Sequence, residues 1–173
     1  MSDVNAMAGT PAPDNATVLR MIQASKAAGA AGRSGEADQL LARVAQLAPA
    51  HPAVLNELGL RMMQRGDPAR ARELFQRATQ ADPGHPSLWS NLAQSLHELN
   101  LPTDELDAID RALALEPRHL ASLLQKGQVL ERMGDARNAA RAYRNALATV
   151  PAGTAALQSV AAMMIPRPTY STV

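Results

Sequence analysis

The stretch LNELGLRMMQRGDPARARELFQRATQADP, residues 55–83, predicts two helices joined by a tight turn. At its centre, glycine in Gly66-Asp67-Pro68 can adopt the left-handed conformation that ends a helix. Aspartate can then cap the next helix, and proline fits its first turn. Apolar residues on both sides recur at helical spacing, so each helix has one apolar stripe. The stretch MGDARNAARAYRNA, residues 133–146, has the same arrangement, with Gly134 to end one helix and Asp135 to cap the next.

Residues 55–83 belong to a unit that recurs every 34 residues. Prolines mark position thirty-two of each unit: Pro49, Pro83, Pro117 and Pro151. Position four is large in every unit: Met21, Leu55, Trp89 and Leu123. Position eight is always small: Ser25, Gly59, Ala93 and Gly127. Position twenty-four is large again: Leu41, Phe75, Ile109 and Tyr143. Such a code lets two helices of one unit approach closely, and a period of this length is typical of a stacked array.

The pattern resembles the tetratricopeptide repeat family, which has Leu-Gly at positions seven and eight, Ala at twenty and twenty-seven, an aromatic residue at twenty-four and Pro at thirty-two. Two departures stand out: Ala24-Ser25 replaces Leu-Gly, and Glu105 occupies position twenty. The resemblance implies an all-α fold, a right-handed α-solenoid of tandem antiparallel helix pairs. Each pair buries its apolar face against its neighbours, since it cannot do so alone.

The period divides the chain into a disordered leader (1–16), four tetratricopeptide repeats (17–151), and a terminal helix with a Pro-containing tail (152–173). The repeat units are 18–51, 52–85, 86–119 and 120–153. The first helix of each unit, here called the A helix, is predicted at 17–30, 52–65, 86–99 and 120–133. The second, the B helix, is predicted at 36–48, 68–81, 102–115 and 136–149.

Composition excludes several classes of function. The chain has 173 residues, a net charge of +1, no cysteine and 2% aromatic residues. The small net charge argues against a nucleic-acid partner, and the absence of a long apolar run argues against a membrane partner. Without cysteine there is no disulfide, thiolate metal site or thiol nucleophile. We expect a soluble, cytoplasmic protein.

Candidate chemical sites are weak. His51, His85 and His119 lie 34 residues apart, but successive packed helices are roughly 8 to 10 Å apart, too far for one metal ion. They are predicted to be turn residues beside the A helices. The acidic stretch TDELDAID, residues 103–110, could hold a cation, but a solvated outer face is the favoured interpretation. No motif of an enzyme appears, so no catalytic residue, cofactor or metal is expected.

The resemblance implies a binding groove on the concave face, lined by A-helix positions two, five, six, nine, twelve and thirteen. On this sequence, the corresponding groove residues are Gln23, Lys26, Asn56, Glu57, Leu60, Met63, Ser90, Asn91, Gln94, His97, Glu98, Leu124, Gln125, Gln128 and Glu131. Position six is polar in every unit: Gln23, Glu57, Asn91 and Gln125. A carboxamide has an acceptor and two donors, so it can match the backbone of an extended peptide. The alternative is that these amides simply solvate an exposed face.

Three functional hypotheses follow. The first is a noncatalytic protein–protein interaction module or scaffold that binds a peptide or protein segment in the concave groove. The second is the accessory repeat region of a multidomain enzyme without its catalytic domain, since the alanine-rich units look like those preceding aspartyl/asparaginyl hydroxylase or sulfotransferase domains. The third rests on the uncharged stretch AGTAALQSVAAMMI, residues 152–165. This hypothesis is a homodimer formed through the apolar surface of residues 154–165. The same surface could instead be covered by the tail folding back over it or by a further domain.

Overall fold

The computed structural model describes residues 13–150, which form eight α-helices and no strand. The A helices are α1 (Asn15–Ala30), α3 (Pro52–Gln64), α5 (Pro86–Glu98) and α7 (Leu120–Arg132). The B helices are α2 (Ser34–Leu47), α4 (Pro68–Ala81), α6 (Pro102–Leu115) and α8 (Ala136–Leu147). The predicted order of four helix pairs is therefore confirmed. The predicted terminal helix and tail lie outside the described residues.

Helix α1 begins earlier than the sequence predicted. The Asp14 side chain accepts a hydrogen bond from the Thr17 amide at 2.7 Å and caps the helix, which starts at Asn15. Residues 15 and 16, assigned to the leader, are therefore helical. The other helix bounds differ from the predictions by at most two residues.

The turns between A and B helices have the predicted chemistry. Gly66 and Gly134 adopt left-handed φ values of 74° and 82°. The next residue caps the B helix: Asp67 accepts from the Arg70 amide and Asp135 from the Asn138 amide, both at 3.1 Å. A helix that ends on a left-handed residue and restarts after one cap reverses direction within a few residues, so each unit is an antiparallel pair.

Position eight is small because the side chain at position twenty-four lies over it. A Cβ added to Gly59 would lie 2.5 Å from Cε1 of Phe75, and one added to Gly127 would meet Tyr143 even more closely. No side chain fits at either site while the ring stays in place. The two units with an aliphatic residue at position twenty-four instead have Ser25 and Ala93 at position eight.

The core runs through all four units rather than surrounding one centre. At position twenty-seven, Val44, Ala78, Ala112 and Ala146 are all fully buried. Phe75 is also fully buried and belongs to a cluster that joins the second, third and fourth units. Trp89 packs against this cluster only in part, because its indole N–H donates to the Pro83 carbonyl at 2.9 Å, towards the surface. Trp89, the large residue at position four of the third unit, is therefore half-buried.

The A helices of successive units form a continuous layer. Helix α1 contacts α3, α3 contacts α5, and α5 contacts α7, while the B helices α2, α4 and α6 pack on the A helix of the next unit. The layer of A helices is the surface on which the groove residues were predicted. Among the helices of residues 13–150, none is both long and apolar enough to cross a membrane.

Candidate functional site

The concave face is the set of predicted groove residues on the A helices, and they differ widely in exposure. Five are exposed: Gln23, Lys26, Gln94, Glu98 and Glu131. Eight are half-buried: Asn56, Leu60, Met63, Asn91, His97, Leu124, Gln125 and Gln128. Two are buried: Glu57 and Ser90. The half-buried members lie on α3, α5 and α7, and exposure does not follow repeat position, since Leu60 is half-buried and Gln94 is exposed at position nine.

The amides of Asn56 and Asn91 are joined across the junction of the second and third units. Nδ2 of Asn91 donates to Oδ1 of Asn56 at 2.8 Å. The remaining amide atoms, Oδ1 of Asn91 and Nδ2 of Asn56, make no hydrogen bond within residues 13–150. One acceptor and one donor, held in place by the shared bond, are therefore left at the centre of the concave face.

The side-chain amide of Gln125, by contrast, forms hydrogen bonds within the protein. Its Oε1 accepts from the Ser90 hydroxyl at 2.9 Å, and its Nε2 donates to the Ser90 carbonyl at 3.1 Å. The same nitrogen lies 3.4 Å from Oε1 of Gln94. A residue expected to offer hydrogen bonds to a ligand thus forms them with the third unit.

Glu57, at position six of the second unit, also contacts the preceding unit, here through an ion pair. The ammonium group of Lys26 lies 3.1 Å from Oε2 of the buried Glu57. This oxygen lacks a directed hydrogen bond, so the contact is electrostatic. At all three junctions between described units, then, the side chain at position six contacts the unit before it.

A buried carboxylate lies behind the concave face at the third junction. Glu105, 1% exposed, has Oε1 at 3.1 Å from Nδ1 of His97 and forms a salt bridge through Oε2 with Arg132. The sequence predicted a solvated face for residues 103–110, and that prediction is wrong for Glu105. Its place at position twenty, where the other units have alanine, was the signal: a buried charge needs partners.

The fourth unit adds a second carboxylate contact. The Tyr143 hydroxyl donates to Oε2 of Glu131 at 3.1 Å. Burial raises the pKa of Tyr143 to about 12, and the nearby Glu131 carboxylate contributes to the increase. Glu131 is thus attached to the B helix of its own unit at one edge of the concave face.

The three periodic histidines lie in turns beside the N-termini of the A helices, as their spacing predicted, and only the His51 side chain forms a capping hydrogen bond. His51, His85 and His119 directly precede α3, α5 and α7. Nδ1 of His51 accepts from the Ala53 amide at 3.2 Å, and Nδ1 of His119 lies 2.8 Å from the Ser122 hydroxyl. Within residues 13–150, no three histidine or acidic side chains lie close enough to hold a metal ion.

Comparisons with known proteins agree with this architecture. The tetratricopeptide repeat profile matches residues 22–86 and 57–119, more than half of the chain. A crystal structure of MamA is 22% identical, with a TM-score of 0.67 over 80% of this chain and 81% of that one. A chain in the crystal structure of the APC/C hetero-tetramer Cut9-Hcn1 is 18% identical, with a TM-score of 0.74 over 86% of this chain and 30% of that one. At these identities the likeness shows the fold alone.

The comparison with curated protein sequences gave no match. The suggested relation to hydroxylase or sulfotransferase front ends therefore stays a prediction, as does the homodimer through residues 154–165, which lie outside the described part. The repeat profile and the stacked helix pairs agree on one assignment. The chain belongs to the tetratricopeptide repeat family of right-handed α-solenoids, a family of protein–protein interaction modules.

Proposed function

We propose that the chain is a noncatalytic binding module that holds an extended peptide segment of a partner protein against the concave face. The observation that carries the proposal is the Asn56–Asn91 pair. Their shared hydrogen bond fixes both amides, and one acceptor and one donor remain without partners in the described residues. The backbone of an extended peptide offers the complementary N–H and C=O.

The surroundings of the pair favour a peptide over a purely polar ligand. Leu60 and Met63 on α3 are half-buried and pack against the main core cluster, so they form an apolar floor beside the amides. An apolar side chain of the peptide would cover them while its backbone meets Asn56 and Asn91. Apolar contact area with a few placed polar groups is the usual composition of a ligand site.

The hydrogen bonds of Gln125 support a proposed site centred on the second and third units. Because this amide already bonds Ser90 and Gln94, it contributes less to a ligand than the sequence suggested. We place the main polar contacts at the second and third units. Gln125 of the fourth unit supports them through its hydrogen bonds to Ser90.

A peptide selection tests the proposal. Linear peptides would be selected from a random phage-displayed library against the immobilised chain, and the Kd of the tightest one measured by fluorescence polarisation. We expect Asn56→Ala with Asn91→Ala to weaken binding at least about tenfold, since two hydrogen bonds contribute roughly 1 kcal/mol each. Methylating individual backbone nitrogens of the peptide should abolish binding at one or two positions.

The matched control is Gln46→Ala with Gln80→Ala, which removes two exposed amides from the B helices α2 and α4. This variant should bind as the wild type does, and circular dichroism should show equal helicity in all three proteins. Equal binding by the asparagine double variant, or a library that yields no peptide, would contradict the proposal.

A further inference from the structure

A cleft of about 340 Å³ opens between α6, α7 and α8, away from the concave face. Helix α7 contributes Leu123, Lys126 and Leu130 to it. These are positions four, seven and eleven of the unit, whereas the concave face uses other positions of the same helix. The cleft and the proposed peptide site therefore share no residue, and either could be occupied without the other.

The floor of the cleft is made of leucine side chains. Leu123 and Leu130, 4% and 8% exposed, come from α7, and the half-buried Leu106 and Leu113 come from α6. These four aliphatic side chains supply most of the apolar part of a lining that also contains polar residues. The volume of the cleft lies in the range of small-molecule sites, about 300 to 1,000 Å³.

The sequence explains why the cleft lies at this junction. At the preceding junction, the positions of Leu106 and Leu123 carry Arg72 and Trp89. Both are longer side chains, and Nε of Arg72 is buried there. Leucine at both positions occupies less volume than arginine and tryptophan, which is consistent with a cleft between the third and fourth units.

Two cationic side chains of the fourth unit, Lys126 and Arg141, line the walls of the cleft. Lys126 stands at position seven, where the second and third units have leucine, and its Nζ lies 2.6 Å from Oδ1 of Asp110. Arg141 stands at position twenty-two, where those units have Glu73 and Asp107. Arg141 is exposed, and the structure gives it no ion pair or hydrogen bond within residues 13–150. The leucine side chains therefore lie beside two cations: Lys126, which is paired, and Arg141, which has no partner within residues 13–150.

We propose that this cleft binds a small amphipathic ligand with an aliphatic body and an anionic head, of the class of a medium-chain carboxylate. The alkyl chain lies on the leucine floor, where it is removed from water. The carboxylate faces Arg141, whose guanidinium group can donate two parallel hydrogen bonds to it. At the opposite wall, Lys126 is paired with Asp110, which also lines the cleft, so Arg141 is the cation that the carboxylate meets. The asparagine side chain of Asn138, also in the lining, supplies a neutral polar edge.

Isothermal titration calorimetry with decanoate, below its micellar concentration, tests the proposal on the full chain. We expect one site in the wild type. Arg141→Glu should weaken decanoate binding at least tenfold. The cationic probe decyltrimethylammonium should bind the wild type weakly and gain affinity in the same variant.

Leu123→Trp provides an independent test, because it places in the fourth unit the residue that the third unit has at the same position. The larger side chain fills the floor and should abolish decanoate binding. Arg137→Glu, an equal charge change on an exposed α8 residue outside the cleft, should leave binding unchanged. No binding by the wild type, or unchanged binding by either Arg141→Glu or Leu123→Trp, would overturn the proposal. Comparable affinity for both probes would also overturn it, since it would indicate nonspecific apolar association.

Discussion

The carboxylate of Glu105 on α6 forms a salt bridge with Arg132 at the end of α7, and so joins the third repeat to the fourth from inside. The glutamate is 1% exposed, whereas about a third of the Arg132 side chain is open to solvent. The two partners therefore differ in how far water can solvate their charges. Loss of the arginine leaves a buried charge with only His97 beside it, whereas loss of the glutamate leaves a cation that water can solvate.

The first prediction uses this inequality. Arg132→Ala should lower the free energy of unfolding by about 2 kcal/mol, since it leaves a buried carboxylate incompletely paired. Adding Glu105→Ala, which restores the small residue of the other repeats, should recover part of that loss. Urea unfolding of both variants gives the comparison. A double variant less stable than Arg132→Ala alone would contradict the explanation.

The second prediction concerns the glycine beneath an aromatic ring. Gly127→Ala should destabilise the fourth repeat by about 1 to 3 kcal/mol, because the added methyl group overlaps the Tyr143 ring. Combining it with Tyr143→Ile recreates the Ala93 and Ile109 pair of the third unit and should relieve the overlap. Thermal unfolding followed by circular dichroism measures both. If the double variant were no more stable than Gly127→Ala, steric overlap would not be the cause.

The third prediction tests the register of the repeats. Ala112, at position twenty-seven, is fully buried, so Ala112→Arg places a long charged side chain in a helix crossing. We expect at least the third and fourth units to unfold, with a large loss of helicity. Arg111→Ala, at the exposed neighbouring position, serves as the control. Unchanged helicity and melting temperature in Ala112→Arg would show that the register is wrong.

The fourth prediction concerns alkaline pH. Burial and the neighbouring Glu131 raise the pKa of Tyr143 from 10.0 to about 12. Folding therefore favours the neutral phenol: this stabilisation is present below pH 10 and is lost as the pH rises through about 12. Ultraviolet absorbance titration should show this pKa in Tyr170→Phe, where Tyr143 is the only tyrosine. Glu131→Gln should lower it; ionisation near pH 10 in the folded protein would refute the assignment.

Sequence periodicity predicted most of the fold because the residues that shape a repeat act within that repeat. Gly59 faces Phe75 and Gly66 begins the turn before Asp67, so a short stretch contains both members of each relation. Glu105 escaped the prediction because Arg132 lies 27 residues away in the next unit. A helical wheel cannot show a partner on another element. Position twenty of the repeat indicated that Glu105 is buried, but the partners of its charge depend on how the units stack.

The candidate site was predictable only at the level of positions. The family pattern indicated which A-helix residues share one face, and the structure brings Asn56 and Asn91 together on that face. Sequence could not indicate which amides are already engaged, because that depends on side-chain conformations in the neighbouring unit. Gln125 and Asn91 occupy equivalent positions, yet one amide is saturated and the other keeps an acceptor available.

The side chains at position six connect one unit to the next, and this sets a limit on redesign of the concave face. At the second junction, for example, the hydrogen bond that would align Asn91 for the proposed peptide also joins α5 to α3. Replacing such an amide therefore also removes a hydrogen bond between two units. A variant library for new ligands must randomise positions five and six of adjacent repeats together.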